Sequence, residues 1–150
     1  MTEEAMWSTT HTAETLASSD TVWAAIVALH SGTPIGPDSD SFELHGPFEL
    51  GTTLTITPQG QEPVQSTITE LVPGKVYADE TVLGDVLLTF RHTLISLETG
   101  GTRVSHTLEI GGPDGDHVGP ELGPQISSDF PLAMSELLAA AERWPDIVSS

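Results

Sequence analysis

The chain has 150 residues, enough for one domain of ordinary size and too few for two. It carries 22 Asp and Glu against 4 Lys and Arg, a formal net charge of −18, which repels phosphate and argues against nucleic acid and anionic membrane surfaces as partners. Cysteine is absent, so disulfides, thiol catalysis and thiolate metal sites are excluded.

The N-terminus reads Met-Thr-Glu-Glu, with neither a basic n-region nor an apolar h-region, so the expected compartment is the cytoplasm. Trp7–Leu16 is rich in Thr and predicts a first strand. Ser18, Ser19 and Asp20 are N-cap residues, and Val22, Trp23, Ile26 and Leu29 recur at helical spacing over Thr21–Leu29. The run Val22–Leu29 is the longest unbroken apolar stretch and is far shorter than a membrane span. Residues 31–41 hold Gly, Pro and Asp and read as a loop. Strands are then expected at Phe42–Leu44, Thr52–Thr57, Val64–Val72, Val76–Leu83, Val86–Leu97 and Thr102–Ile110. Pro73-Gly74 marks a type II turn, and Gly84-Asp85 and Thr99-Gly100-Gly101 mark two more, so the sheet is antiparallel. Gly111–Gly119 reads as a loop. From Pro120 or Pro124 to Trp144 the apolar residues Leu122, Ile126, Phe130, Met134, Leu137, Leu138 and Ala141 step by three and four, a helix with one broad apolar face. Pro131 should kink it near Ile126–Ser128, and Pro145 should end it.

Strand, short helix, six antiparallel strands and a long C-terminal helix resembles the helix-grip fold of the START-like, or SRPBCC, superfamily, which includes polyketide cyclase/dehydrase and lipid-transfer families. Leu16-Ala17-Ser18-Ser19-Asp20-Thr21-Val22-Trp23 resembles that family's first strand running into its first helix. Thr69-Glu70-Leu71-Val72-Pro73-Gly74-Lys75-Val76-Tyr77 resembles its central hairpin, and Gly101-Thr102-Arg103-Val104-Ser105-His106 its final strand entry. The resemblance spans nearly the whole chain and implies an α+β fold, one START-like domain over residues 1–150, with a seven-stranded curved sheet wrapped around the last helix. It also implies an apolar cavity for a hydrophobic or aromatic small molecule. Geometry points the same way, because one helix does not fill the concave side of a curved sheet.

Strand alternation selects the inward residues. Leu88, Phe90 and His92 share the apolar phase of one strand, and His106, Leu108 and Ile110 that of the next. With Phe130, Met134 and Leu137 from the helix, the expected cavity wall is Leu88, Phe90, Leu108, Ile110, Phe130, Met134 and Leu137. A turn at Glu98–Gly101 places His92 opposite His106. The Gly84-Asp85 turn places Tyr77 opposite His92, and the Pro73-Gly74 turn places Glu70 opposite Tyr77. The expected catalytic row is therefore Glu70, Tyr77, His92 and His106, with neighbours roughly 4.5–5.5 Å apart at Cβ.

Such a row is equipped for general acid–base work: His exchanges protons near neutral pH, and Tyr polarises a carbonyl. Three functions fit: a cofactor-independent cyclase or dehydratase (a lyase or isomerase of biosynthesis) acting on a polyketide-like or aromatic metabolite; a non-catalytic binder or carrier of a hydrophobic ligand; and a module whose cavity is filled by its own side chains. The first is favoured by polar groups within an apolar wall, the second by the absence of a catalytic signature. Asp114-Gly115-Asp116-His117 has metal-ligand residue types but lacks the rest of a calcium loop. His11, His30 and His45 are scattered. No phosphate loop, dinucleotide fingerprint or nucleophile elbow is present, so no metal and no cofactor is expected.

Overall fold

The computed structural model describes residues 7–33, 41–57, 60–113 and 115–143, with 115–117 as backbone only. Residues 34–40 of the expected 31–41 loop, the helix end at Trp144 and Pro145, and the Asp114–His117 motif lie outside these residues or their side chains.

The strands β1 (Trp7–Thr15), β2 (Ser41–Leu44), β3 (Thr53–Thr57), β4 (Val64–Val72), β5 (Val76–Leu83), β6 (Val86–Ser96) and β7 (Thr102–Gly111) form one antiparallel sheet in the order β1-β7-β6-β5-β4-β3-β2. The strands β2 to β7 are consecutive neighbours because turns join them. The exception is β1, which pairs with β7 at one edge while its successor β2 forms the other. Helix α1 (Ser19–His30) carries the chain between these edges. Ser18 caps α1, its hydroxyl accepting from the Thr21 amide at 3.3 Å. Val22, Ala25, Ile26 and His30 form its buried stripe.

The C-terminal helix is long and bent. It begins at Gly115, earlier than the sequence predicts, and divides into α2 (Gly115–Ser127) and α3 (Phe130–Glu142). Pro131 is the reason: its ring excludes the carbonyl four residues back, so a new helix starts with Pro131 in its first turn, where a missing N–H is harmless. The result is a break at Ser128-Asp129 rather than a kink. The residues 115–119, expected as loop, are helical and set Gly119 and Gly123 against Trp7. A Cβ on either would fall 2.3 Å or 2.2 Å from the Trp7 side chain.

The core has two parts. Val22 and Ile26 of α1, Leu54, Ile68, Tyr77, Leu94 and Val104 of the sheet, and Met134 and Leu137 of α3 form the larger. Leu88, Leu108, Ile110 and Phe130 form the smaller, with Trp7, Phe90, Leu122 and Ile126 packed on it. Leu108 and Ile110 are fully buried, Leu88, Phe130, Met134 and Leu137 are 2–4% exposed, and Phe90 is half-buried. In the concavity where the sequence predicts a cavity, the bend of the C-terminal helix sets the Phe130 ring on His106 of the sheet.

Candidate functional site

The β6–β7 hairpin pairs Leu94 with Val104, Phe90 with Leu108 and His92 with His106, as the alternation predicts. The β5–β6 hairpin pairs Tyr77 with His92. These three strands place Tyr77, His92 and His106 side by side on the inner face. The imidazoles of His92 and His106 stack with centroids 4.2 Å apart and planes 16° apart, and the Phe130 ring lies 3.8 Å from His106 at 15°. The row continues beyond Tyr77: His30 of α1 lies 4.2 Å from the Tyr77 ring and 5.8 Å from His92, and Phe48 stacks on Tyr77 at 5.5 Å.

Glu70 is not in this row. The turn forms as expected, with the Lys75 amide donating to the Val72 carbonyl and Gly74 at φ 79°, a conformation suited to glycine. Yet Lys75 belongs to the loop, so Val72 pairs with Val76 and Glu70 with Ala78. This one-residue slip turns Glu70 to the outer face and puts Leu71 opposite Tyr77. A bulge between Ile68 and Glu70 then restores the phase, so that Ile68 meets Asp79 and Ser66 meets Thr81. On the outer face Arg91 donates to Glu70 at 2.8 Å and to Glu109 at 2.9 Å, a surface ion trio that raises the Arg91 pKa.

The inner face holds an acid that the sequence reading passed over. Asp79 is 2% exposed. It accepts from the Tyr77 hydroxyl at 2.6 Å and from the Ser66 hydroxyl at 3.1 Å. Burial pushes its carboxyl up to about 6, against the opposing pull of those two donors. Burial, and then the neighbouring Asp79 carboxylate, pushes the Tyr77 hydroxyl up as well. The signal was present: Tyr77, Asp79 and Thr81 are one strand phase. His30 was also legible, since it continues the Val22–Ile26 stripe by one more step of four.

The three inner histidines are neutral at ordinary pH. Burial pulls His30 down to about 4, against the opposing effect of its bond to Ile26. That bond fixes its tautomer: Nδ1 lies 2.7 Å from the Ile26 carbonyl, which only accepts, so Nδ1 carries the proton. Burial, then His106 and His30, lower His92 well below its usual value. Burial, then His30 and His11, lower His106 to about 3; His11 is its partner on β1. His92 Nδ1 is buried and has no hydrogen-bond partner among the described residues. Buried polar atoms are ordinarily paired, so this atom marks the place where a partner is missing. A surface groove of about 410 Å³, lined by Leu16, Ala17, Thr21, Ala141 and Glu142, includes none of these side chains.

No family model and no curated protein matches the chain. Solved structures do. The Zhui aromatase/cyclase from Streptomyces sp. R1128 superposes with a TM-score of 0.70 at 18% identity, over 92% of this chain and 94% of that one. Norcoclaurine synthase from Thalictrum flavum gives 0.69 at 16% identity, over 90% and 85%. A START superfamily protein from Mycobacterium smegmatis gives 0.70 at 13% identity, over 91% and 98%. Likeness at such low identity speaks to the fold alone. With the seven-stranded sheet gripping a long bent C-terminal helix, it establishes that this chain has the START-like, or SRPBCC, helix-grip fold.

Proposed function

We propose that this protein binds a planar hydrophobic or aromatic small molecule between the sheet and the C-terminal helix, and acts on it by cofactor-independent acid–base chemistry of the cyclase or dehydratase type. The observation that carries the reading is the stack of His92, His106 and Phe130 beside the unpartnered His92 Nδ1. Phe130 stands at the helix break and lies on His106 as a flat ligand would. A displacement of Phe130 lets an aromatic ring take its place, against Leu88, Phe90, Leu108 and Ile110 on the sheet and Met134 and Leu137 on α3. The aromatase/cyclase and norcoclaurine synthase neighbours support the reading by analogy of fold.

In such a site a neutral imidazole takes a proton from a carbon beside a carbonyl. The resulting enolate closes a ring on a second carbonyl of the same chain, and the new alkoxide recovers the proton. Loss of a second carbon-bound proton with the hydroxyl, as water, completes dehydration. His92 and His106 are the candidates for base and for hydrogen-bond donor. Tyr77 does not polarise a carbonyl while Asp79 is ionised, because its one hydroxyl hydrogen is directed at Asp79. Binding without turnover is the second reading, favoured by the depressed histidines, whose imidazolium forms are hard to reach. Native mass spectrometry of the purified protein, followed by incubation with linear poly-β-ketones, separates the two. An enzyme forms aromatic product, and His92→Phe and His106→Phe slow it by roughly 100-fold or more. A carrier retains ligand and forms none. A protein that takes up neither ligand nor substrate overturns both.

A further inference from the structure

The ionisable groups of the inner face are unbalanced. The chain has 4 basic side chains of Lys and Arg, and none serves the interior. Lys75 and Arg143 are exposed. Arg103 is held by Glu14, and Arg91 by Glu70 and Glu109 on the outer face. The histidines around Tyr77 are neutral, since burial lowers each of them. Among the described residues Asp79 thus lies buried with two neutral donors, the hydroxyls of Tyr77 and Ser66, and Ser66 shares its one hydrogen with the Glu80 carbonyl. A buried carboxylate is ordinarily matched by a positive charge.

The hydrogen-bond directions add to this. Tyr77 has one hydroxyl hydrogen and gives it to Asp79, so toward any other group its oxygen only accepts. Directly across the hairpin stands His92, with its buried unpartnered Nδ1. The net charge of −18 biases the surrounding field toward cations. A metal ion does not suit the place, because among the described residues no group of three or more His, Asp or Glu side chains is arranged to hold one.

We propose that the polar end of this site, Tyr77 and Asp79, receives a protonated amine carried by the aromatic ligand. This rests on the ligand-binding reading above and narrows it to cationic aromatic amines. The ammonium pairs with the Asp79 carboxylate and donates to the Tyr77 oxygen, while the ring lies toward His92 and on His106 in the place that Phe130 leaves. A carboxylate in the same position is repelled, and an alcohol supplies the hydrogen bond without the charge.

Three probes with one planar body test it on the intact protein: 2-naphthylmethylamine, 2-naphthalenemethanol and 2-naphthoate, titrated by calorimetry at about pH 8. The expected order is amine tighter than alcohol by about 10-fold or more, with naphthoate weakest. Asp79→Asn, which keeps the side-chain volume, should bring amine and alcohol to equal affinity. Amine affinity should also fall as the pH is lowered from about 8 to about 5, because Asp79 takes up its proton near 6. The groups facing Asp79 are Tyr77 on its own strand, Ser66 and Ile68 on β4 and Phe90 on β6. None of them titrates in that window, and the nearby His30 titrates lower, at about 4. Alcohol binding as tightly as amine in the wild-type protein overturns the amine assignment and leaves the ligand site standing. Failure of all three probes to bind overturns the ligand site and this assignment with it. The wild-type comparison decides the matter even if Asp79→Asn does not fold.

Discussion

At the scale of single residues, His92 and Tyr77 make opposite predictions. His92→Phe places an apolar ring of similar size where a buried Nδ1 has no partner. Stability by chemical denaturation should hold or rise; a fall of about 1–3 kcal/mol would mean that His92 is a structural hydrogen-bonding residue. Tyr77→Phe removes the shorter of the two bonds to Asp79. Stability at neutral pH should fall by about 1–3 kcal/mol. That loss should shrink below about pH 6, where Asp79 is protonated and needs its donors less. A loss independent of pH would place the effect of Tyr77 in packing alone. His92, His106 and Tyr77 were legible from hairpin arithmetic because two turns set their register. Glu70 was not, because a third residue joined the Pro73-Gly74 turn and the bulge beside Ile68 then hid the slip from every position upstream. Neither event has a strong sequence signature.

At the scale of elements, α2 depends on two glycines that no hydrophobic pattern would select. Gly119 and Gly123 are one helical turn apart and let the helix backbone rest on Trp7 of β1. Alanine at Gly123 would improve helix propensity by about 1 kcal/mol. Its Cβ would nevertheless meet the far edge of the indole, a rigid ring that is itself packed in the smaller core cluster. The expected net result for Gly123→Ala is destabilisation by about 1–3 kcal/mol, measured by thermal or denaturant unfolding, with quenching or shift of the Trp7 fluorescence as α2 moves off the sheet. A stabilised variant would show that α2 does not lie flush on β1. The strands were readable to within a residue or two because alternation and turn residues agree. The helix was misread at its start because Gly115, Gly119, Pro120, Gly123 and Pro124 are poor helix formers, held helical by packing on Trp7 rather than by propensity.

At the scale of the whole molecule, the buried titratable groups set how stability responds to acid. His30, His92 and His106 have folded pKa values below the usual 6.5. They bind fewer protons folded than unfolded, so the stability they contribute is present above pH 6.5 and is lost as pH falls below it. Asp79 acts in the opposite sense. Its folded pKa, about 6 against 3.8, makes its contribution fully present below 3.8 and lost as pH rises through about 6. Three histidines outweigh one acid, so unfolding free energy should decline between about pH 6 and pH 4. His92→Phe should reduce that slope by one proton, about 1.4 kcal/mol per pH unit. An unchanged slope would show that His92 is not buried and neutral in the folded state.

What the sequence determined by itself was the order of elements, the antiparallel sheet, the inner phase of each central strand and hence the meeting of His92 with His106 and Tyr77. These follow from local physics: alternation has a period of two, and short turns fix which residues face each other. Only the tertiary structure decided the rest. It turned Glu70 outward to Arg91, brought His30 from a distant helix onto Tyr77, buried Asp79 beneath that tyrosine, and laid Phe130 on His106. Glu70 turned with the extra residue in its hairpin turn; the others depend on where side chains from separate elements come to rest against one another, which hairpin periodicity does not encode.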